Sequence, residues 1–304
     1  MPTAEDFCCL QSGFFSAVGS GGKELHEQLY VMGGRQKALR DAVLARFPPY
    51  YERYIEVFGG AGWVLFHKPP GNDFEVLNDF NSNLVNLYRC VRDKPNKLKY
   101  KLRYVLNSRE DFNWIAMLHK RNLFPKFRDI DRAAKFYQLI RYSYASSLDS
   151  FACQPHSIWS DFPQIDMAAR RLQKVVIENR DFEKLILQYD RPVSFFYCDP
   201  PYFATEDYYK DVGFTAKDHI RLRDVLLDIK GKFLVSYNDC PEIRYLWDKP
   251  GVYLEEISRL NNLAQRYEGG CRYAELLISN YDTSERSKMS HQLSLFDDDG
   301  GIFL

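Results

Sequence analysis

An acid, two prolines and an aromatic in succession, Asp199-Pro200-Pro201-Tyr202, close the apolar run Val193-Ser194-Phe195-Phe196-Tyr197-Cys198. The run reads as a buried parallel strand, and open α/β sheets bind ligands beyond the carboxyl ends of such strands. The chemistry these residues suit is methyl transfer to an exocyclic amine of a nucleobase. The amino nitrogen at C6 of adenine is a poor nucleophile because its lone pair is delocalised into the ring. Two acceptors aimed at its hydrogens, the Asp199 carboxylate and the Pro200 carbonyl, would favour a tetrahedral nitrogen and localise that pair, while Tyr202 stacks on the base. The two prolines fix φ and remove amide donors that would compete for the acceptors. Such a pocket reaches only a base flipped out of the duplex. The plainer alternative is a proline turn after a core strand.

A second constellation precedes it. In Tyr54-Ile55-Glu56-Val57-Phe58-Gly59-Gly60-Ala61-Gly62-Trp63-Val64 an apolar strand runs into a glycine-rich turn and then a helix start. This is the organisation of a nucleotide-binding first βα unit. The negative charge of Glu56 suits an ammonium group, such as that of a methionine moiety, and not a pyrophosphate. The next strand, Phe74 to Leu77, ends at Asn78-Asp79-Phe80-Asn81. Asp79 lies about 20 residues past the glycines, where an acid holds ribose hydroxyls; a helix N-cap is its alternative role.

On these motifs the chain resembles the Dam-like, D12 class N6-adenine-specific DNA methyltransferases, whose motifs run in the order glycine loop, target-recognition insert, then DPPY. An N-terminal aromatic followed by Gly-Gly-Lys is matched by Tyr30-Val31-Met32-Gly33-Gly34-Arg35, with Arg35 in place of lysine and Tyr30 one position early. Val57 replaces a usual proline. Asn179-Arg180-Asp181-Phe182, after Val175-Val176-Ile177, matches the family acid that reads the cofactor adenine. The resemblance implies S-adenosyl-L-methionine as methyl donor, contacted by Tyr30, Gly33, Gly34, Arg35, Glu56, Phe58, Gly60, Gly62, Asp79, Asp181 and Asp199. It implies Asp199, Pro200 and Tyr202 as catalytic residues and double-stranded DNA as substrate.

Composition sets bounds. A chain of 304 residues with 45% hydrophobic content suits one large domain plus an insert. No apolar stretch is long enough for a membrane-spanning helix, and the N-terminus lacks the basic region of a secretory signal. The seven cysteines are scattered, without zinc or disulfide spacing, which fits a cytosolic protein with free thiols and predicts no metal site, while the family resemblance implies a bacterial or phage origin. Cys198 adjoins the catalytic acid, yet amine methylation needs no covalent intermediate, so it reads as a buried strand cysteine.

Net charge is zero, but its distribution is uneven. Between Arg89 and Lys135 there are 14 Lys and Arg against five Asp and Glu. That block fits a phosphate-contacting face, with Lys99, Lys101, Lys126 and Arg128 as candidate contacts and Asn107, Trp114, Asn122 and Phe124 interleaved; a solvated helix face is the alternative. Arg141-Tyr142-Ser143-Tyr144 stands where the family carries an Asn-Arg motif, making Arg141 and Tyr144 candidates for sequence readout.

The elements that must position these residues alternate in type. Helices are expected at 36–46, 82–92, 131–143 and 216–229, and strands near 54–58, 74–78, 175–178, 193–198 and 233–237. Segments 252–257 and 273–280 read as a closing hairpin with a long connection. The expected architecture is a class I S-adenosylmethionine-dependent methyltransferase fold: Rossmann-like α/β, a mostly parallel sheet with a closing hairpin, and a helical target-recognition insert. In domain terms, an N-terminal extension covers 1–24, the catalytic and cofactor-binding domain 25–92 and 171–281, the insert 93–170, and a flexible tail 282–304. Tyr208 and Tyr209 are either a cover for the flipped base or packed loop aromatics. Within the tail, Gln292-Leu293-Ser294-Leu295-Phe296 looks like the pentapeptide by which bacterial replication proteins dock on the DNA sliding clamp; folding back as an edge strand is its alternative. The reading is a monomeric, site-specific DNA adenine methyltransferase. An N4-cytosine or RNA adenine methyltransferase, and a catalytically silent DNA- and clamp-binding module, remain open on the sequence alone.

Overall fold

The computed structural model describes residues 34–144, 148–203, 214–260 and 272–284. Helix α1 (Gly34–Ala45) precedes strand β1 (Arg53–Glu56), the short helix α2 (Trp63–His67), β2 (Phe74–Asn78) and α3 (Ser82–Asp93). Four helices follow, α4 (Pro95–Leu102), α5 (Arg109–Lys120), α6 (Asp129–Tyr142) and α7 (Phe162–Arg171). The chain then returns to alternation with β3 (Val175–Glu178), α8 (Phe182–Tyr189), β4 (Ser194–Cys198), α9 (Ala216–Leu227), β5 (Lys232–Asn238) and α10 (Pro241–Trp247). It closes with β6 (Tyr253–Leu260) and β7 (Arg272–Ser279).

The strands form one seven-stranded sheet in the order β3-β2-β1-β4-β5-β7-β6. The first five are mutually parallel, while β7 runs antiparallel between β5 and β6. The order reverses direction between β1 and β4, so the crevice of a doubly wound sheet opens above those two carboxyl ends. Glu56 pairs with Tyr197 across them, which sets the glycine turn beside Asp199-Pro200-Pro201-Tyr202.

Alternating residues feed two cores. Tyr54, Leu77, Phe195, Tyr197, Leu234 and Leu277 face α1 to α7, whereas Ile55, Val76, Phe196, Phe233, Val235 and Ile278 face α8 to α10. Every residue of β4 is buried, which accounts for its uninterrupted apolar sequence. Helix α6 packs along α3, and α4 and α7 complete that layer. Residues 93–170 therefore share one hydrophobic core with the sheet.

The expected elements differ mainly at their ends. Helix α1 already begins at Gly34, two residues before the expected start, so Gly34 and Arg35 lie in its first turn. β1 ends at Glu56, two residues before the expected limit, because Phe58 has left the ladder for the turn. β6 extends three residues beyond the expected 257, paired with β7 along its whole length. Pairing all three strands β5, β7 and β6 satisfies backbone groups that the sequence pattern leaves open.

Candidate active site

Four side chains bind the carboxyl ends of β1, β2 and β3 into one unit. Asn78 donates to the carbonyls of Val57 and Arg180 at 2.9 and 3.1 Å, and its Oδ1 accepts the Arg180 N–H at 2.9 Å. Asn179 donates to the carbonyls of Asp79 and Phe80. Tyr88, on α3, donates to the Gly60 carbonyl at 2.6 Å. Asp79 accepts the Gly60 N–H on Oδ2 (2.8 Å) and the Asn81 N–H on Oδ1 (2.7 Å). The cap of α3 is Asn81, which accepts from Asn83 and Leu84, so Asp79 is not the helix cap. Burial lifts the Asp79 pKa above the usual aspartate range, and its two N–H donors oppose the shift.

The turn needs its glycines for different reasons. At Gly59 a Cβ would lie 2.8 Å from the Asn78 carbonyl oxygen, a contact the 2.7 Å Gly59–Asn78 hydrogen bond leaves no room for. Gly60 has a left-handed φ of 47° and open space where a Cβ would sit, so its backbone presents a bare face.

Glu56 takes an immediate role different from the one its charge suggests. Its side chain is 2% exposed and lies beneath the turn, where Oε2 accepts the Tyr54 hydroxyl (2.7 Å) and the Leu65 N–H (2.8 Å). Desolvation raises its pKa to about 8 against the pull of those donors, and the Asp199 charge adds to the rise. It is a strut fixing the start of α2, not a carboxylate presented at the surface of the turn. Behind it, Arg171 at the end of α7 pairs bidentately with Glu75 at 2.5 and 2.7 Å and donates to the Leu65 carbonyl. Lys68 joins Glu75 and Asp73.

On the other side of the crevice, Asp199 is exposed and Pro200 buried. The buried Ser236 of β5 donates to Asp199 Oδ1 at 2.8 Å, which sets the carboxylate's direction. Asn238 accepts the Phe203 N–H at 3.1 Å and donates to its carbonyl at 3.4 Å. The Tyr202 hydroxyl donates to Glu275 Oε1 of β7 at 3.3 Å. Cys198 is fully buried and its thiol is pushed well above its ordinary pKa by desolvation, which disfavours the thiolate a nucleophile needs.

Phe58 lies in an aromatic group with Phe182 and Phe214, each ring pair 5.7 to 5.8 Å apart. Asp181 caps α8 through the Glu183 and Lys184 N–H groups and pairs with Arg221 at 3.2 Å. The structure thus brings Glu56, Phe58, Gly60, Gly62, Asp79 and Asp181 together at the carboxyl ends of β1, β2 and β3, with Asp199, Pro200 and Tyr202 following the end of the adjacent strand β4. Tyr30, Gly33, Tyr208, Tyr209, Gln292, Leu293, Leu295 and Phe296 lie outside the described residues.

The sequence profile of the D12 class N6 adenine-specific DNA methyltransferases matches residues 32–151 and 156–263. The chain belongs to this family. It is a D12-class DNA adenine methyltransferase, and its sheet is that of a class I methyltransferase. It is 27% identical over 270 residues to the type II methyltransferase M1.LlaDCHI of Lactococcus lactis subsp. cremoris, covering 82% of this chain and 93% of the relative. It is 24% identical over 224 residues to the type II methyltransferase M.CviBI of Paramecium bursaria Chlorella virus NC1A, covering 67% and 82%. With the DNA N-6-adenine-methyltransferase of Escherichia phage P1 it shares 25% identity over 233 residues, 70% of this chain but 30% of that protein. Among the described residues no helix is long and apolar enough to cross a membrane.

The structure rearranges the expected DNA contacts of this methyltransferase. Arg141 is buried, not presented to DNA: its guanidinium grips Asp161 at 2.7 and 2.9 Å and meets His156 at 3.1 Å. An arginine in the last turn of α6 faces the helical layer, and Asp161, 1% exposed, supplies the charge that lets it stay there. Lys99 is held by Asp166 and Lys101 by Asp131, so both are partly neutralised. Asp166 lies outside the stretch whose charges suggested a basic face. Lys126 and Arg128 are exposed, and Tyr144 is 57% exposed beside the Ser143–Phe151 bridge. Phe124, one of the interleaved aromatics, is core. Sequence reasoning missed Ser236, Asn238, Glu275 and Asn78; each is a polar residue inside or closing an otherwise apolar strand, which is the signal that could have found them.

Proposed function

We propose that this D12 methyltransferase uses S-adenosyl-L-methionine to methylate the N6 of an adenine extruded from double-stranded DNA. The observation that carries the reading is the Asp199 carboxylate, aimed by Ser236 and exposed at the carboxyl end of β4, beside the Gly59–Gly62 turn of the adjacent parallel strand β1. The residues present suit that cofactor. The bare Gly60 backbone allows close approach, Asp79 lines the rim where a ribose would lie, and the Phe58–Phe182 edge next to Asp181 offers an apolar surface for adenine. When bound there, the cofactor supplies an electrophilic methyl group.

Asp199 and the Pro200 carbonyl accept from the target amine and localise its lone pair, and Tyr202 stacks on the base. The released proton leaves to solvent or through Asp199. Because the machinery is one of alignment and acceptors, positioning carries most of the rate gain. Residues 93–170, with Lys126, Arg128 and Tyr144 exposed, serve as the DNA-reading region. The Gln292–Phe296 segment docks a bacterial sliding clamp, and the enzyme works as a cytoplasmic monomer. Sequencing methylated bases in DNA from cells expressing the protein, together with calorimetry of S-adenosylmethionine binding, tests the reading. Methylation at cytosine N4, or cofactor binding without any methylated DNA, would refute it.

A further inference from the structure

Tyr202, the proposed platform for the base, and Phe203 after it, whose ring packs on His219, are held by two residues that face each other across the β5–β7 ladder. Asn238 pairs with Glu275 in the antiparallel register. Asn238 clamps the backbone of Phe203 through both its N–H and its carbonyl. Glu275 accepts the hydroxyl of Tyr202 at 3.3 Å. It is only 2% exposed, between Ala274 and the fully buried Leu276 of the same strand. A carboxyl group in that setting is costly to desolvate, and an apolar side chain would fill the space more cheaply.

A tyrosine ring used as a stacking platform can swing about two side-chain torsions. Packing restrains the near end; a partner at the hydroxyl is what restrains the far end. We propose that Glu275 is a positioning residue for methyl transfer, fixing the far end of the Tyr202 ring so that its face meets the extruded adenine with the amine aligned. The inference rests on the reading of Tyr202 as the stacking platform. In the step it serves, the amine lone pair forms the new N–C bond, the S–C bond breaks with its electrons left on sulfur, and the amine then loses a proton to water. Alignment errors of the order of 1 Å cost about a hundredfold in such steps.

The test uses the full-length enzyme and a duplex bearing a site mapped by sequencing, with 2-aminopurine at the target position in a parallel substrate. Tyr202→Phe removes only the hydroxyl, Glu275→Ala removes the acceptor together with the rest of a buried side chain, and Glu275→Gln keeps an acceptor oxygen in nearly the same volume. Tyr202→Phe and Glu275→Ala are each expected to slow single-turnover methylation about tenfold, the loss expected for one hydrogen bond to an alignment group. They should leave the KM for S-adenosylmethionine unchanged and alter the 2-aminopurine emission alike. Glu275→Gln should restore the rate to within about threefold of wild type, and the double variant should be no slower than the worse single one. Multiplicative slowing in the double variant, or a wild-type rate for Tyr202→Phe, overturns the inference. If Tyr202→Ala also keeps the wild-type rate, the stacking reading itself is wrong; if Tyr202→Ala is slow and Tyr202→Phe is not, only the role of Glu275 falls. Should Glu275→Ala fail to fold, Tyr202→Phe and Glu275→Gln still decide the matter.

Discussion

Replacing Asp199 by alanine should abolish most methylation while leaving the molecule otherwise intact. The side chain is exposed, so its loss opens no cavity. The Ser236 hydroxyl gives up one partner and keeps the Tyr197 hydroxyl at 3.2 Å and the Cys198 carbonyl at 3.4 Å as alternatives. Folding stability should therefore change by less than about 1 kcal/mol, the size of one ordinary hydrogen bond. The chemical step should suffer far more. A preorganised group aimed at developing charge is worth about a hundredfold to a thousandfold in rate, roughly 2.7–4 kcal/mol. The assay is single-turnover transfer of a labelled methyl group to duplex DNA at saturating cofactor, with DNA affinity from anisotropy and cofactor affinity from calorimetry. A large fall in the first with both affinities retained is the signature of a group acting in the transition state. A rate within about tenfold of wild type, only 1.4 kcal/mol, would refute the acceptor argument.

Other perturbations separate the remaining roles. Glu56 in the folded chain has its pKa raised from an ordinary 4.5 to about 8, so its contribution to stability is complete below the lower value and is lost as pH rises through the higher one. The cofactor-free enzyme should therefore lose denaturant resistance between about pH 5 and pH 8, and Glu56→Gln should flatten that fall; equal slopes for both proteins would remove Glu56 as its source. Neutralising Lys126 with Arg128 should weaken binding to every DNA sequence alike and reduce the salt slope by about one for each phosphate that is no longer neutralised. The same change at Lys99 with Lys101, already paired with Asp166 and Asp131, should have the smaller effect on the salt slope. Arg141→Ala strands the buried Asp161 carboxylate beside His156, and should cost about 3 kcal/mol of stability in thermal unfolding. Unchanged stability with an altered sequence preference would instead return Arg141 to DNA reading. A peptide spanning 288–300 should bind a bacterial clamp at roughly micromolar Kd, as short segments that order on binding do, and Leu295→Ala with Phe296→Ala should abolish it.

What the sequence made legible follows from how each feature is encoded. Strands and their order of use were readable because β4 is apolar throughout and the glycine turn and DPPY carry fixed local geometry. The charge count between Arg89 and Lys135 is blind to partners elsewhere in the chain: Asp166, outside that stretch, takes Lys99. Glu56 illustrates the same limit differently. Its type and place beside the glycines were plain, but whether the carboxyl points up to a ligand or down to Tyr54 and Leu65 depends on packing that no local spacing fixes. Ser236 and Glu275 stood in segments read correctly as strands and Asn238 one residue past the expected end of its strand, and only the β5–β7 register reveals that they converge on Asp199, Tyr202 and Phe203.

That convergence divides the crevice into two halves built on different principles. On the β1–β2–β3 side, Asn78, Asp79, Asn179 and Tyr88 bond mainly to backbone groups, so the loops there hold one another in place whatever their exposed side chains do. A site of this kind suits a ligand that never changes, since backbone carries the shape. On the β4 side, Asp199 and Tyr202 are aimed by side-chain hydrogen bonds from β5 and β7, and Phe203 by one asparagine. The extruded base proposed above, which swings in, reacts and leaves, requires a pocket whose walls are aligned but separately adjustable. Substitutions on the first side should therefore act through cofactor affinity and folding together, and those on the second through the rate of transfer alone. A Ser236→Ala variant that lowered cofactor affinity as much as transfer rate would show the two halves to be one.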